Sequence, residues 1–162
     1  MSIASNLKVI ISDIPTNVTL VAVSKTKSNS DILAAYNVGQ KVFGENKVQE
    51  LAQKAEELPK DIAWHMIGHL QTNKVKFIAP FVSLIHAVDS LKLLQEIDKR
   101  ASQNKRIIDC LLQIHIATES TKFGFGIQEV EKAVEKSKEF KHIKIKGLMA
   151  MATFTDDFEQ IN

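Results

Sequence analysis

A chain of 162 residues, 44% hydrophobic and 25% charged, has the composition of one ordinary globular domain spanning 1–162, which excludes a disordered or fibrous chain. The net charge of +2 is small and the lysines are spread over several segments, so the electrostatic footprint of a nucleic-acid binder is missing. No apolar run reaches the ~18–20 residues that span a bilayer, and the first fourteen residues lack the pattern of a secretory leader, so the expected location is the cytoplasm with no membrane partner.

The chain opens on an expected helix over 2–13 and then alternates short β-branched or apolar runs with stretches of 3.6-residue periodicity, the mark of a parallel α/β fold. The first strand is expected over 19–24, followed by a helix over 30–38 with Ser30 as N-cap and Gly39 as its stop. A second unit pairs 41–44 with a helix over 48–58, which Pro59 terminates because proline cannot continue a helix. A third strand over 63–67 precedes a helix over 73–78. A fourth over 83–88 precedes a helix that Asp89 or Ser90 caps and that runs to Ser102. The fifth strand is 107–116. Its helix, 127–139, carries Ile127, Val130 and Val134 as an apolar stripe toward the core, and a sixth strand covers 143–151. Periodicity does not separate an open doubly wound sheet from most of a closed barrel, but the first βα turn, Ser24-Lys25-Thr26-Lys27-Ser28, lacks the glycine-rich fingerprint of a dinucleotide site. Cys110, the single cysteine, sits in an apolar run and reads as a buried thiol.

Candidate chemistry gathers where strands end. Lys25 follows the first strand at the carboxyl end, where α/β folds place their sites, and a lysine partly desolvated there becomes a nucleophilic amine able to condense with an aldehyde. Lys27 competes for that role, and the bland alternative for Lys25 is a solvated strand-end lysine. Asn46, after the second strand, either offers its amide to a ligand or caps the next helix. The segment Gly68-His69-Leu70-Gln71-Thr72-Asn73-Lys74 is a polar loop at the same end, with Asn73 a candidate cap. His65 and His69 are four apart, but the spacing straddles a strand and a turn, so paired metal ligation is not expected and His65 reads as a packed histidine. The two glycines of Lys122-Phe123-Gly124-Phe125-Gly126 serve either an anion or a flexible connection.

Together, Ala22-Val23-Ser24-Lys25-Thr26-Lys27, Phe43-Gly44-Glu45-Asn46 with Val48-Gln49-Glu50, Trp64-His65-Met66-Ile67-Gly68-His69-Leu70-Gln71-Thr72-Asn73-Lys74, Glu119-Ser120-Thr121-Lys122-Phe123-Gly124 and Gly147-Leu148-Met149-Ala150-Met151 resemble the pyridoxal-phosphate homeostasis proteins. The resemblance implies a TIM-type (β/α) barrel like the alanine racemase N-terminal domain, with pyridoxal 5′-phosphate (PLP) held as a Schiff base on Lys25. It also implies Asn46 beside the cofactor, Lys122 as a second lysine near the site, and Met149 on a strand end bordering it. In the family two further βα units follow, with Ser-x-Gly-Met-Ser and Arg-Ile-Gly segments that tend the cofactor phosphate and ring nitrogen. This sequence stops at Asn162 without them, so it is expected to be a truncated form or a fragment. The expected role is a PLP carrier, a monomer in its complete form, with no catalytic or metal-binding residue assigned.

Two other functions compete. A PLP-dependent racemase of this type uses a tyrosine base from an additional β-domain, yet the only tyrosine, Tyr36, falls in an expected helix. A cofactorless Schiff-base aldolase needs the same barrel and amine without the chromophore.

Overall fold

The structure, a computed structural model, describes residues 2–116 and 123–151. Helix α1 (Ile3–Asp13) starts at Ser2, whose Oγ accepts from the Ser5 amide. The βα alternation then follows as β1 (Ala22–Val23), α2 (Asn29–Tyr36), β2 (Val42–Glu45), α3 (Val48–Glu57) and β3 (Ala63–Met66). A 3-10 turn (Thr72–Lys74) feeds α4 (Val75–Ile78), after which come β4 (Leu84–Val88), α5 (Leu91–Gln103), β5 (Ile108–Ile114), α6 (Ile127–Ser137) and β6 (Ile143–Ala150).

The six strands form one sheet in the order β1-β2-β3-β4-β5-β6, every pair parallel. A doubly wound sheet reverses its strand order at a switch point, and this one never does. Each strand is laid beside its predecessor in one direction, which is the winding of a (β/α) barrel and puts every right-handed crossover on the same face. Among the described residues β1 and β6 are not paired with each other.

Register separates the two faces. Phe43 pairs with Trp64, Met66 with Ile85, Ile85 with Cys110, and all are buried in the core cluster that Leu51, Ile78, Leu94, Ile97 and Ala133 complete from the helices. The opposite face carries Gly44, His65, Leu84 and Asp109 in successive register, with Lys144 opposite Asp109. Cys110 is fully buried, and burial, aided by the Asp109 charge, pushes its thiol up to about 12.

Four local expectations need correction. Ladder pairing confines β1 to two residues rather than 19–24: it pairs only with β2, and the Leu20 carbonyl is taken instead by the Gln40 side-chain amide at 2.9 Å. Ser28, not Ser30, caps α2, its Oγ accepting from the Asp31 amide at 3.2 Å. Asn73 caps nothing, because the segment enters α4 through the 3-10 turn, which has no side-chain cap bond. The stripe on α6 is displaced: Ala133 is buried and Val130 packs on the core, while Ile127 is 75% exposed. As expected, Ser90 caps α5, α3 ends at Glu57 with Leu58 as its C-cap before Pro59, and Gly39 adopts φ +106 after α2.

Candidate functional site

Six parallel strands bring their carboxyl ends to one edge, and the loops of interest all leave from it. The last ladder pair of β1 and β2 is Val23 with Gly44, extended by a bond from the Ser24 amide to the Gly44 carbonyl at 3.0 Å. Lys25 and Asn46 each come two residues after that pair, on neighbouring strand ends. Lys25 is exposed, as is its competitor Lys27.

Asn46 does not cap α3: the N-cap position belongs to Lys47 and has no side-chain bond. The Asn46 Oδ1 atom is nevertheless buried and lacks a hydrogen-bond partner, a condition it shares among the described residues only with Glu45 Oε2. Buried amide oxygens are nearly always bonded, so an orphan at a strand end marks a place where a donor from outside the chain fits. Gly68 closes the loop after β3 over this residue: a Cβ at Gly68 would lie 2.5 Å from the Asn46 carbonyl oxygen, so only glycine permits the approach. Beneath, a Cβ at Gly44 would meet Val21 and Ile67 side chains at 3.1 Å, so the glycine lets those two side chains pack closely over the strand.

Further loops converge. His69 Nδ1 lies 3.1 Å from Asp89 Oδ2, linking the ends of β3 and β4, and the His69 ring stacks on Phe123 at 4.0 Å between centroids. Gly124 is neither a mere flexible link nor free to change: its φ is +143, and a Cβ there would sit 2.7 Å from the His115 nitrogen. Gln113 donates from Nε2 to the Phe123 carbonyl at 2.8 Å, anchoring the same loop. Met149, half-buried, pairs in register with Gln113 near the end of β6. Lys122 lies outside the described residues. Lys25, Asn46 and Met149 thus share one edge of the sheet. His65 and His69 do not share a ligand set, because His65 bonds to His86 (Nδ1 to Nε2, 3.0 Å) on the inner face. Among the described residues no group of three potential metal-ligating side chains forms.

Sequence reasoning missed the cluster behind Lys25. Ser24 Oγ donates to Glu45 Oε1 at 2.6 Å, and Lys54 Nζ donates to Glu45 Oε1 (2.8 Å), to Glu50 Oε1 (2.7 Å) and to the Ser24 carbonyl (2.8 Å). Glu50 Oε1 also accepts from the Thr26 amide at 2.7 Å. The Lys54 hydrogen bond holds the Glu50 carboxyl below its ordinary range despite the opposing effect of burial. The i,i+4 spacing of Glu50 and Lys54 is visible in the sequence, but it reads as a surface pair, and nothing local ties it to Glu45 on a strand.

The chain is 39% identical over 143 residues to the pyridoxal phosphate homeostasis protein of Aquifex aeolicus, covering 88% of this chain and 63% of that relative. It spans a little under two thirds of the length of the curated relatives it first matches, at 63–66%. The solved structure of PipY from Synechococcus elongatus without PLP superposes with a TM-score of 0.93 at 32% identity, over 99% of this chain and 75% of that one. The structure of the same protein with PLP bound gives 0.85 at 33% identity, over 95% and 72%. The match to the family described as "Alanine racemase, N-terminal domain" extends over residues 1–162, and the chain belongs to that family.

Proposed function

We propose that this chain is the cofactor-binding part of a pyridoxal phosphate homeostasis protein, a cytoplasmic PLP carrier that holds the cofactor through Lys25. The observation that carries the reading is the pairing of an exposed strand-end amine, Lys25, with the orphaned, buried Asn46 Oδ1 on the adjoining strand end. PLP supplies an aldehyde that forms a reversible Schiff base with a primary amine. Lys25 is the residue that takes it, Asn46 offers the hydrogen-bonding capacity its own chain leaves unmet, and Met149 borders the space from β6. Lys122 is proposed as a second lysine toward the site. The names of the relatives and the PLP-bound PipY structure support the choice of ligand. No helix among the described residues is long and apolar enough to cross a membrane.

The names of the relatives favour a carrier over a racemase, and Tyr36 offers this site no second base. Its hydroxyl donates to Asp61 at 2.6 Å and its ring lies under Lys41 Nζ, so it belongs to the amino ends of β2 and β3, opposite the edge that holds Lys25. It cannot serve there as a second base.

The test is borohydride reduction of PLP-treated protein followed by peptide mapping. The pyridoxyl group is expected on Lys25, with visible absorbance that Lys25→Ala abolishes. Adduct found mainly on Lys27 or Lys122 overturns the assignment, and absence of any chromophore favours the cofactorless aldolase.

A further inference from the structure

The turn that carries Lys25 has a conformation its sequence disfavours. The Lys27 amide donates to the Ser24 carbonyl at 3.0 Å, closing four residues, and Thr26 within the turn has φ +64. Left-handed backbone suits glycine. A β-branched residue is an outlier there, and such a turn is depopulated by roughly tenfold unless something else fixes it.

The fixing contacts come from the cluster behind the turn, on the side of α3. Lys54 holds the Ser24 carbonyl and Glu50 holds the Thr26 amide, so the peptide units before and after Lys25 are both bonded to charged side chains. Glu45, fully buried, joins the two from β2 through Lys54 and through the Ser24 hydroxyl. Lys54 itself is only 5% exposed. Buried ion clusters are often no more stabilising than apolar packing of the same volume. Stability alone therefore does not account for three charged side chains placed under one turn, whereas charge-assisted bonds to its backbone do.

We propose that Lys54, Glu45 and Glu50 are positioning residues that hold turn 24–27 in its left-handed form and thereby present Lys25 to PLP. The inference rests on the PLP reading given above. Its consequence is a specific rescue: glycine at position 26 adopts the turn without help, so it replaces what the cluster supplies.

Glu50→Ala is the first variant, because Glu50 has the most exposed side chain of the three and its loss least endangers folding. It is compared in the full chain with Glu50→Ala/Thr26→Gly and with Lys54→Met/Glu45→Met, which exchanges the buried pair for apolar volume. Three quantities are read: PLP affinity by absorbance titration, the ratio of pyridoxyl on Lys25 to Lys27 after borohydride, and amide exchange at position 26 without PLP. Glu50→Ala is expected to weaken PLP about tenfold, shift label toward Lys27 and speed exchange at Thr26, the tenfold being the bias against left-handed threonine. Adding Thr26→Gly is expected to restore affinity and ratio, whether or not the urea midpoint recovers. The Lys54→Met/Glu45→Met variant is expected to fold and to show the same loss. Unchanged affinity and ratio in Glu50→Ala, or a loss that glycine at position 26 does not mend, overturns the proposal. Should the parent chain take no pyridoxyl on Lys25, the PLP reading falls and this inference with it. Slow exchange at Thr26 in that case identifies the failure as one of ligand, not of the clamp.

Discussion

Burial holds the His65 imidazole neutral, pushing its pKa down to about 4, with the neighbouring His86 ring adding to the effect, and burial lowers His86 as well. Their mutual bond at 3.0 Å needs one ring to donate and the other to accept, an arrangement available only while at least one is uncharged. The folded-state pKa lies below the ordinary value of 6.5, so the unfolded chain binds more protons between the two. The stability that neutral His65 contributes is therefore complete above pH 6.5 and is lost as pH falls toward 4. We expect a loss on the order of 2 kcal/mol across that window from this residue. His65→Gln, which keeps a hydrogen-bonding group toward His86 but does not titrate, is expected to flatten the slope of urea-unfolding free energy against pH over the same range. Carboxylates contribute equally to both proteins, so the difference isolates the histidine. A slope identical in the two proteins rejects the account. His65 was legible as a packed histidine, but its partner was not, since 21 residues and a helix separate it from His86.

At the scale of elements, the alternation of β-branched runs with helical periodicity was enough to place every strand and helix in order, because each element buries one face and must carry that period. What it did not give was the boundary chemistry. Two serines, 28 and 30, stand two positions apart, both able to cap, and only the backbone selects Ser28. Nor does a period say how much of a stripe is covered. In α5, Ile97 is fully buried, whereas in α6 Ile127 begins the helix beyond the sheet and stays in solvent. The two isoleucines are expected to respond differently to the same truncation: Ile97→Ala costs about 2–5 kcal/mol by leaving a cavity, and Ile127→Ala costs less than about 0.5 kcal/mol. Chemical denaturation of the two variants checks this. Equal costs would mean that α6 is seated by Ile127 after all and that Ala133 is not its contact.

For the whole molecule, strand order decides what periodicity left open. Six strands laid down in sequence without reversal put Lys25, Asn46 and Met149 on one edge; strand ends alone pointed to Lys25 and Asn46, whereas Met149 was marked only by resemblance, since no local pattern fixes which strands are neighbours. The charged cluster under Lys25 stayed hidden for the same reason, being assembled from a strand end, a turn and a helix. The same winding leaves β1 and β6 unpaired with each other among the described residues, with β6 eight residues long. Apolar surface accompanies these edges: Val23 on β1 is 53% exposed, Leu148 on β6 is 55% exposed and Met151 just beyond it 53%. Unpaired backbone with apolar flanks is a template for another strand. The 162-residue chain by itself is therefore expected to self-associate. Sedimentation velocity over a concentration series checks this, and Leu148→Lys is expected to shift the distribution toward monomer by placing a charge on the flank of that edge. A 162-residue chain that sediments as a monomer at every concentration would show that six strands suffice to cover the sheet.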